Sequence, residues 1–404
     1  MNTEPEKHVS RRKFVSSLGL LGVAGMLPAP VSALAPASPP DEGGILKTGP
    51  YLQAPRPDKI TIRWITGVPC YSWVEYGDAA GSLNQKAHLV TAGLVEANNT
   101  VHAITLKDLS PGRQYHYRIC SKRIDRFEPY KLTYGDTFVS EPYSFRTPDP
   151  KASQTEFIVL NDIHDRPESF AHLLKFQGDA PKDFVFLNGD MFDFQTDENQ
   201  LVNHLLQPLT ELFARHTPFI FSRGNHETRG KFARQLGNYF DGAEEKFYYS
   251  FRRGPVYAIV LDSGEDKADD APAYAGIVDF DAYRRQQAAW LEKEVQKKAF
   301  RQAKYKVVFS HIPLYHSGDW HGTMHCRQVW GPILNKAKID LLVSGHTHRY
   351  GIHPPEKGQH DYPIVIGGGP RAGQRTLIKV KADQTSLALE MVDDSGKVVG
   401  TLQV

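Results

Sequence analysis

The sequence predicts an α/β protein: a two-sheet α/β sandwich with helices on its outer faces, preceded by a small all-β sandwich domain. Three observations carry this reading. Between residues 45 and 147, short runs alternate apolar and polar residues between turns that contain Gly and Pro, the period of half-buried strands. From residue 155 onward, short apolar runs alternate with amphipathic helical stretches, as the buried strands and covering helices of an α/β sheet do. Five of these runs, at 157–160, 184–187, 219–221, 307–309 and 341–343, each end in a short polar motif. Polar groups at the carboxyl ends of parallel strands share one crevice.

Taken in order, residues 1–35 read as a leader. Ser10-Arg11-Arg12-Lys13-Phe14-Val15 resembles the twin-arginine export signature, and an apolar stretch to Leu27 follows. That stretch is about 14 residues, short of the ~20 needed to cross a bilayer. Small residues at Ala33 and Ala35 place cleavage after Ala35. The expected location is periplasmic or secreted, with the twin-arginine export machinery as a partner. Residues 36–44 have the Pro, Ser and Gly composition of a flexible linker. Residues 45–148 form the all-β domain, with strands expected at 59–66, 71–76, 101–106, 114–119 and 143–147. Trp64, Tyr115 and Tyr117 are its expected core. A Pro-rich boundary at 147–153 precedes the second domain, 155–404. Its helices are expected at 168–176, 199–215, 281–301 and 327–336. Strands are expected at 246–251 and 256–261, with late antiparallel strands at 362–366, 376–380, 387–391 and 398–404.

Of the 404 residues, 40% are hydrophobic and 23% charged, ordinary for a globular chain. The formal charge is +2, and without residues 1–35 the basic and acidic residues balance, which gives no nucleic-acid signal. Of three cysteines, Cys70 and Cys120 share the all-β domain; they are either a disulfide or two buried thiols, and Cys326 is left over.

The motifs after the five runs are Asp162-Ile163-His164, Gly189-Asp190-Met191-Phe192-Asp193, Gly224-Asn225-His226-Glu227, His311 in Ser310-His311-Ile312-Pro313, and Gly345-His346-Thr347-His348. Each is weak alone. Together they supply the carboxylate, imidazole and carbonyl donors that a pair of divalent cations takes. Gly residues before Asp190, Asn225 and His346 permit tight strand-to-loop turns. The ordered set resembles the calcineurin-like metallophosphoesterase superfamily across residues 155–350. The run from Gly49-Pro50-Tyr51-Leu52-Gln53 to Tyr115-His116-Tyr117-Arg118 resembles the fibronectin type III-like domain that precedes the catalytic domain of purple acid phosphatases.

The resemblance implies an enzyme that hydrolyses phosphate mono- or diesters with two metal ions, Mn, Fe or Zn, acting on a small-molecule phosphate ester. It implies Asp162, His164 and His348 at the first metal, Asp190 as a bridge, and Asn225, His311 and His346 at the second. His226, beside a ligand and titrating near neutrality, is the expected general acid or phosphate contact. Asp193 and Glu227 are expected to orient imidazoles. Arg223 is expected either at phosphate or as a loop brace. The segment 316–326 reads as a loop, either a substrate rim led by His316 and His321, with no metal role, or plain polar surface. The Gly-rich run 367–373 precedes no helical pattern and reads as a flexible turn. The sequence also departs from purple acid phosphatases: His164 stands where they have Gly, and Asp193 where they have the iron-ligating Tyr. The alternative reading is a non-catalytic surface-binding protein that retains this scaffold.

Overall fold

A computed structural model describes residues 44–241 and 247–404. The expected leader and all but the last residue of the expected linker lie outside the described residues.

The strand Lys59–Gly77 organises the all-β segment. Its first half pairs with Leu46–Arg56 and Ala97–Leu106, and its second half with Gln114–Glu128, all antiparallel. The segment is therefore one continuous seven-stranded set. Its two halves close over a shared core in which Trp64, Tyr115 and Tyr117 sit as expected. The Trp64 indole N–H donates to Ser121 Oγ at 2.9 Å, which satisfies its one polar atom. Cys70 lies opposite Arg123, while Cys120 lies opposite Trp73. That offset of three residues is about 10 Å of strand, beyond the ~7 Å that a disulfide spans. All three cysteines are buried free thiols.

Two six-stranded sheets make up the rest. In the first, Phe219–Ser222, Phe184–Asn188 and Thr155–Leu160 run parallel, and Thr376–Ala382, Leu387–Asp393 and Val398–Gln403 continue antiparallel. In the second, Val256–Leu261, Tyr305–Ser310, Leu341–Ser344 and Ile364–Ile366 run parallel. The sheets pack face to face over a dry core, where Phe186 of one stacks on Phe309 of the other at 3.9 Å. Helices cover both outer faces, Glu168–Leu174 and the turns from 198 to 214 on one, Phe280–Glu294 and His321–Ala337 on the other.

Four local expectations change. Ile364–Ile366 pairs antiparallel with Gly351–His353 but parallel with Leu341–Ser344, and it lies in the other sheet from the antiparallel set that begins at Thr376. The helix over 198–214 includes two π-helical stretches, Val202–Leu206 and Thr210–Ala214, on either side of Pro208, which has no N–H to give. The helix expected at 281–301 breaks after Glu294 and resumes at Lys298–Arg301. The last helix starts at His321 rather than near 327, so half of the expected loop 316–326 is helical.

The all-β segment is sewn to the rest. Tyr51 and Ile65 join the core beneath the first helical layer. Tyr51 Oη donates to Tyr239 O at 2.9 Å, and Arg63 donates to the Asp241 carboxylate and to Asn238 O. Among the described residues, no helix is long and apolar enough to cross a membrane.

Candidate metal centre

Each expected ligand lies in the loop that follows a parallel strand. Asp162 and His164 follow Thr155–Leu160, Asp190 follows Phe184–Asn188, Asn225 follows Phe219–Ser222, His311 follows Tyr305–Ser310, and His346 and His348 follow Leu341–Ser344. The backbone there is unusual. Asp162, His164, Asp190, His346 and His348 all have positive φ, from 50° to 71°. A non-Gly residue in this left-handed region costs roughly 1–2 kcal/mol, and such strain persists where the surroundings over-determine it. Here they do. The Asp162 N–H donates to Gly189 O at 3.1 Å, the His164 N–H to Asp190 O at 3.0 Å, and the His346 N–H to Asp162 Oδ2 at 2.9 Å. Gly224 and Gly345 have ordinary φ. A side chain at either would strike the carboxylate of Asp190 or Asp162, so these glycines serve close approach rather than the turn itself.

The donor atoms converge in two groups. In the first, His348 Nε2 lies 3.1 Å from His164 Nε2 and 3.3 Å from Asp162 Oδ1. In the second, His311 Nε2 lies 2.9 Å from Asp190 Oδ2, and His346 Nδ1 lies 3.0 Å from Asn225 Oδ1. Asp190 Oδ2 is also 3.6 Å from His164 Nε2, so one carboxylate reaches both groups.

His311 tests whether cations fit. Its Nδ1 lies 2.8 Å from the Asn188 carbonyl, which can only accept, so Nδ1 carries the proton. Nε2 of the neutral ring is then a lone pair, fully buried, without a hydrogen bond, and at contact with a carboxylate oxygen. Two acceptors at that distance repel unless positive charge stands between them. The field agrees. Burial by itself would push the carboxylates up and the imidazoles down. Against it, His164 and His348 hold Asp162 well below the usual carboxylate range, and His311 does the same for Asp190. Against burial too, Asp162 and Asp190 raise His164 to about 9, and Asp190 raises His311 to about 10. The residues fit a pair of divalent cations.

Other groups complete the centre. Asp193 Oδ1 accepts from His164 Nδ1 at 2.8 Å, orienting an imidazole as expected. Glu227 touches no imidazole. Its buried carboxylate instead accepts the backbone N–H groups of Asp190, Met191 and Gly224 at 2.7–2.8 Å, and so clamps the loop that carries Asp190. His226 Nδ1 donates to Asp193 O at 2.6 Å, and its Nε2 accepts from Arg229 Nη1 at 2.9 Å. Burial, followed by the Arg229 charge, lowers its pKa against the pull of Asp190.

The residues expected at the substrate, Arg223, His316 and His321, lie outside the two donor groups. The Arg223 guanidinium pairs with buried Asp262 at 2.7 Å and lies over Phe247, contacts of the kind a loop brace makes. His321 opens the last helix and bonds Asp281 at 2.9 Å. His316 stacks on His353 at 3.9 Å and meets His360, so neither histidine joins the two donor groups. The run 367–373 is not a plain flexible turn. Gly367 to Pro370 are buried, and side chains at Gly367 and Gly369 would strike Asn161 and His348.

Sequence reasoning missed Arg229 and Asn161. Asn161 Nδ2 bridges Asp162 Oδ2 at 2.5 Å and Gly368 O at 3.0 Å. Both are next to motifs, one residue before Asp162 and three after His226, and that adjacency was the available signal. The partner that holds Arg229, buried Glu265, has no local signal.

The matches to known proteins agree with this geometry. A calcineurin-like phosphoesterase family model matches residues 155–350, and a purple acid phosphatase N-terminal domain model matches residues 49–147. The chain is 25% identical to a probable purple acid phosphatase 20 of Arabidopsis thaliana, over 73% of this chain and 66% of that one. It is 26% identical to acid phosphatase type 7 of Homo sapiens, over 82% of this chain and 73% of that one. The fold resembles a purple acid phosphatase from yellow lupin (Lupinus luteus) seeds, with a TM-score of 0.65 at 17% identity over 88% of this chain and 73% of that one. By these matches residues 155–350 form a calcineurin-like phosphoesterase domain, in the arrangement where a purple acid phosphatase N-terminal domain precedes it.

Proposed function

We propose that this chain is an exported phosphoesterase that hydrolyses small-molecule phosphate mono- or diesters at a two-cation centre. The observation that carries the reading is the buried His311 Nε2, without a hydrogen bond and 2.9 Å from Asp190 Oδ2, where positive charge must stand between the two atoms. Asp162, His164 and His348 would hold one cation, Asn225, His311 and His346 the other, and Asp190 would bridge. Bound cations supply a nucleophile at neutral pH and neutralise phosphate charge. The donor mix of nitrogen and oxygen without thiolate suits Mn, Fe or Zn.

The chain's own residues do the rest. Glu227 and Asn161 keep the Asp190 and Asp162 loops in place. His226 presents Nε2 as its exchangeable position, because Nδ1 is committed to Asp193 O. Protonated there, it delivers a proton to the leaving oxygen, a contribution of roughly 10²–10⁴ in rate. A cavity of about 490 Å³ beside it, lined by Arg229, Lys231, Arg234, Tyr274 and Ile277 among others, supports a small leaving group with polar and apolar parts. Retention of every expected donor disfavours a non-catalytic binding protein. Export rests on residues 1–35 alone.

The test is hydrolysis of bis-p-nitrophenyl phosphate beside p-nitrophenyl phosphate by Mn-reconstituted protein, with Asp190→Asn as control. The control should lose activity by orders of magnitude. Wild-type-like turnover in it would remove Asp190 from the bridge. Preference for the diester would align the chemistry with His164, and preference for the monoester with the purple acid phosphatase likeness.

A further inference from the structure

We propose that His316, His360 and Glu356 form a third cation site, separate from the two-cation centre and suited to Zn²⁺. The three side chains each offer a ligand atom, and these atoms lie within 4.8 Å of one another. His360 is fully buried, and its Nδ1 lies 2.7 Å from the Tyr362 carbonyl. The proton is therefore on Nδ1, and the Nε2 lone pair faces His316 Nε2 at 3.1 Å. His311 is fixed in the same way by the Asn188 carbonyl.

The spacing also matches. His348 and His164, in the main centre, show the same 3.1 Å between Nε2 atoms. Two imidazole nitrogens bound to one tetrahedral Zn²⁺ at ~2.0–2.1 Å stand roughly 3.3 Å apart. The backbone repeats a feature of the main centre as well: His316 has φ 66°, inside the 50–71° range of the five left-handed residues there.

The site is built into the fold rather than left to a free loop. His316 is stacked on His353 with an interplanar angle of 9°, which sets its ring direction. Tyr315 Oη donates to Gln359 O at 2.7 Å, and Asn335 Nδ2 donates to the same oxygen at 3.0 Å, tying the segment around Glu356 to the loop after His311 and to the last helix. Two imidazoles and one carboxylate are a common zinc donor set, and the exposure of His316 and Glu356 leaves a fourth position for water. The ion would pin the 353–362 segment to the 312–320 segment.

The competing account is a His316 Nε2–H donating to His360 Nε2 with no ion. The two separate on metal count. Zn²⁺ is titrated into the metal-free full chain and bound metal is measured by elemental analysis after gel filtration, for wild type, Glu356→Gln, His316→Gln and His360→Gln. Glu356→Gln is conservative and exposed, so it keeps the test alive if the His360 variant fails to fold. We expect each folded variant to bind one equivalent fewer than wild type and to unfold at lower temperature only when zinc is present. Equal metal counts in wild type and variants, or unfolding shifts independent of zinc, overturn the site. The proposal does not depend on hydrolysis: a protein inactive on every phosphate ester would still show the lost equivalent, and an active one with unchanged counts would sink only this site.

Discussion

His164 Nδ1 lies 2.8 Å from Asp193 Oδ1, at the position where purple acid phosphatases carry a tyrosine. The carboxylate accepts a hydrogen bond from the Nδ1–H and leaves Nε2 facing Asp162 and Asp190. Partners of this kind set ligand tautomer and basicity, and their loss costs about 10–100-fold in metal affinity. Asp193→Ala should therefore bind Mn about 10-fold or more weakly, with the fold intact. The side chain is 45% exposed, and residue 193's backbone contacts to Asp165 and His226 do not involve it. Competition against a chelator reads the affinity, and an unchanged value would mean that His164 is oriented without Asp193. Iron-loaded wild type should also lack the visible tyrosinate band.

Arg229 controls the proton at His226. Its Nη1 lies 2.9 Å from Nε2, and its charge opposes protonation of that ring. Removing the charge should raise the His226 pKa. An acid works below its pKa, so the alkaline limb of the turnover profile should move to higher pH. Removing Arg229 alone would strand buried Glu265, so the variant to use is Arg229→Gln with Glu265→Gln. A pH profile on an ester with a poor leaving group reads the shift, and an unmoved limb removes Arg229 from this role. His226→Ala should slow poor leaving groups more than activated ones.

Metal uptake should release protons. His164 is raised to about 9 and His311 to about 10, both above the ordinary imidazole value, so both are protonated at pH 8 in metal-free protein. Ligation needs the neutral form, so reconstitution at pH 8 displaces these protons. Their contribution to metal-free stability is complete below pH 6.5 and is lost as pH rises through 9 to 10. Titrant consumed in weakly buffered solution should show close to two protons per chain from these rings, and none would mean that they are already neutral.

Local pattern carried most of the fold and of the donor set. Five apolar runs became five parallel strands because buried strands must be apolar on both faces, and the ligands follow because each strand must end in a loop. Residues whose roles depend on partners distant in sequence were illegible. Arg223 and Asp262 are 39 residues apart, His316 and His360 are 44 apart, and nothing local announces either pair. The start of the last helix was hidden because His321, Gly322 and Thr323 have weak helix propensity, and packing against Phe280–Glu294 decides instead.

The all-β segment should unfold with the catalytic fold as one unit. Arg63, on the strand Lys59–Gly77, donates through Nε to Asp241 at 3.0 Å and through Nη1 to Asn238 O at 2.8 Å, in the stretch that follows His226. The two side chains are 11% and 17% exposed, so little water screens the pair. Tyr51 Oη reaches Tyr239 O nearby, and Gln53 Nε2 donates to Phe219 O at 3.0 Å on a strand that leads to the site. Arg63→Ala leaves Asp241 nearly buried without its cation, at a cost of about 3 kcal/mol at most. Because Tyr51 and Ile65 lie in the same core as the first helical layer, that cost should lower a single transition rather than split it. Calorimetry of wild type and Arg63→Ala decides the matter, since two resolved transitions in the variant would mean that the all-β segment folds as an independent body.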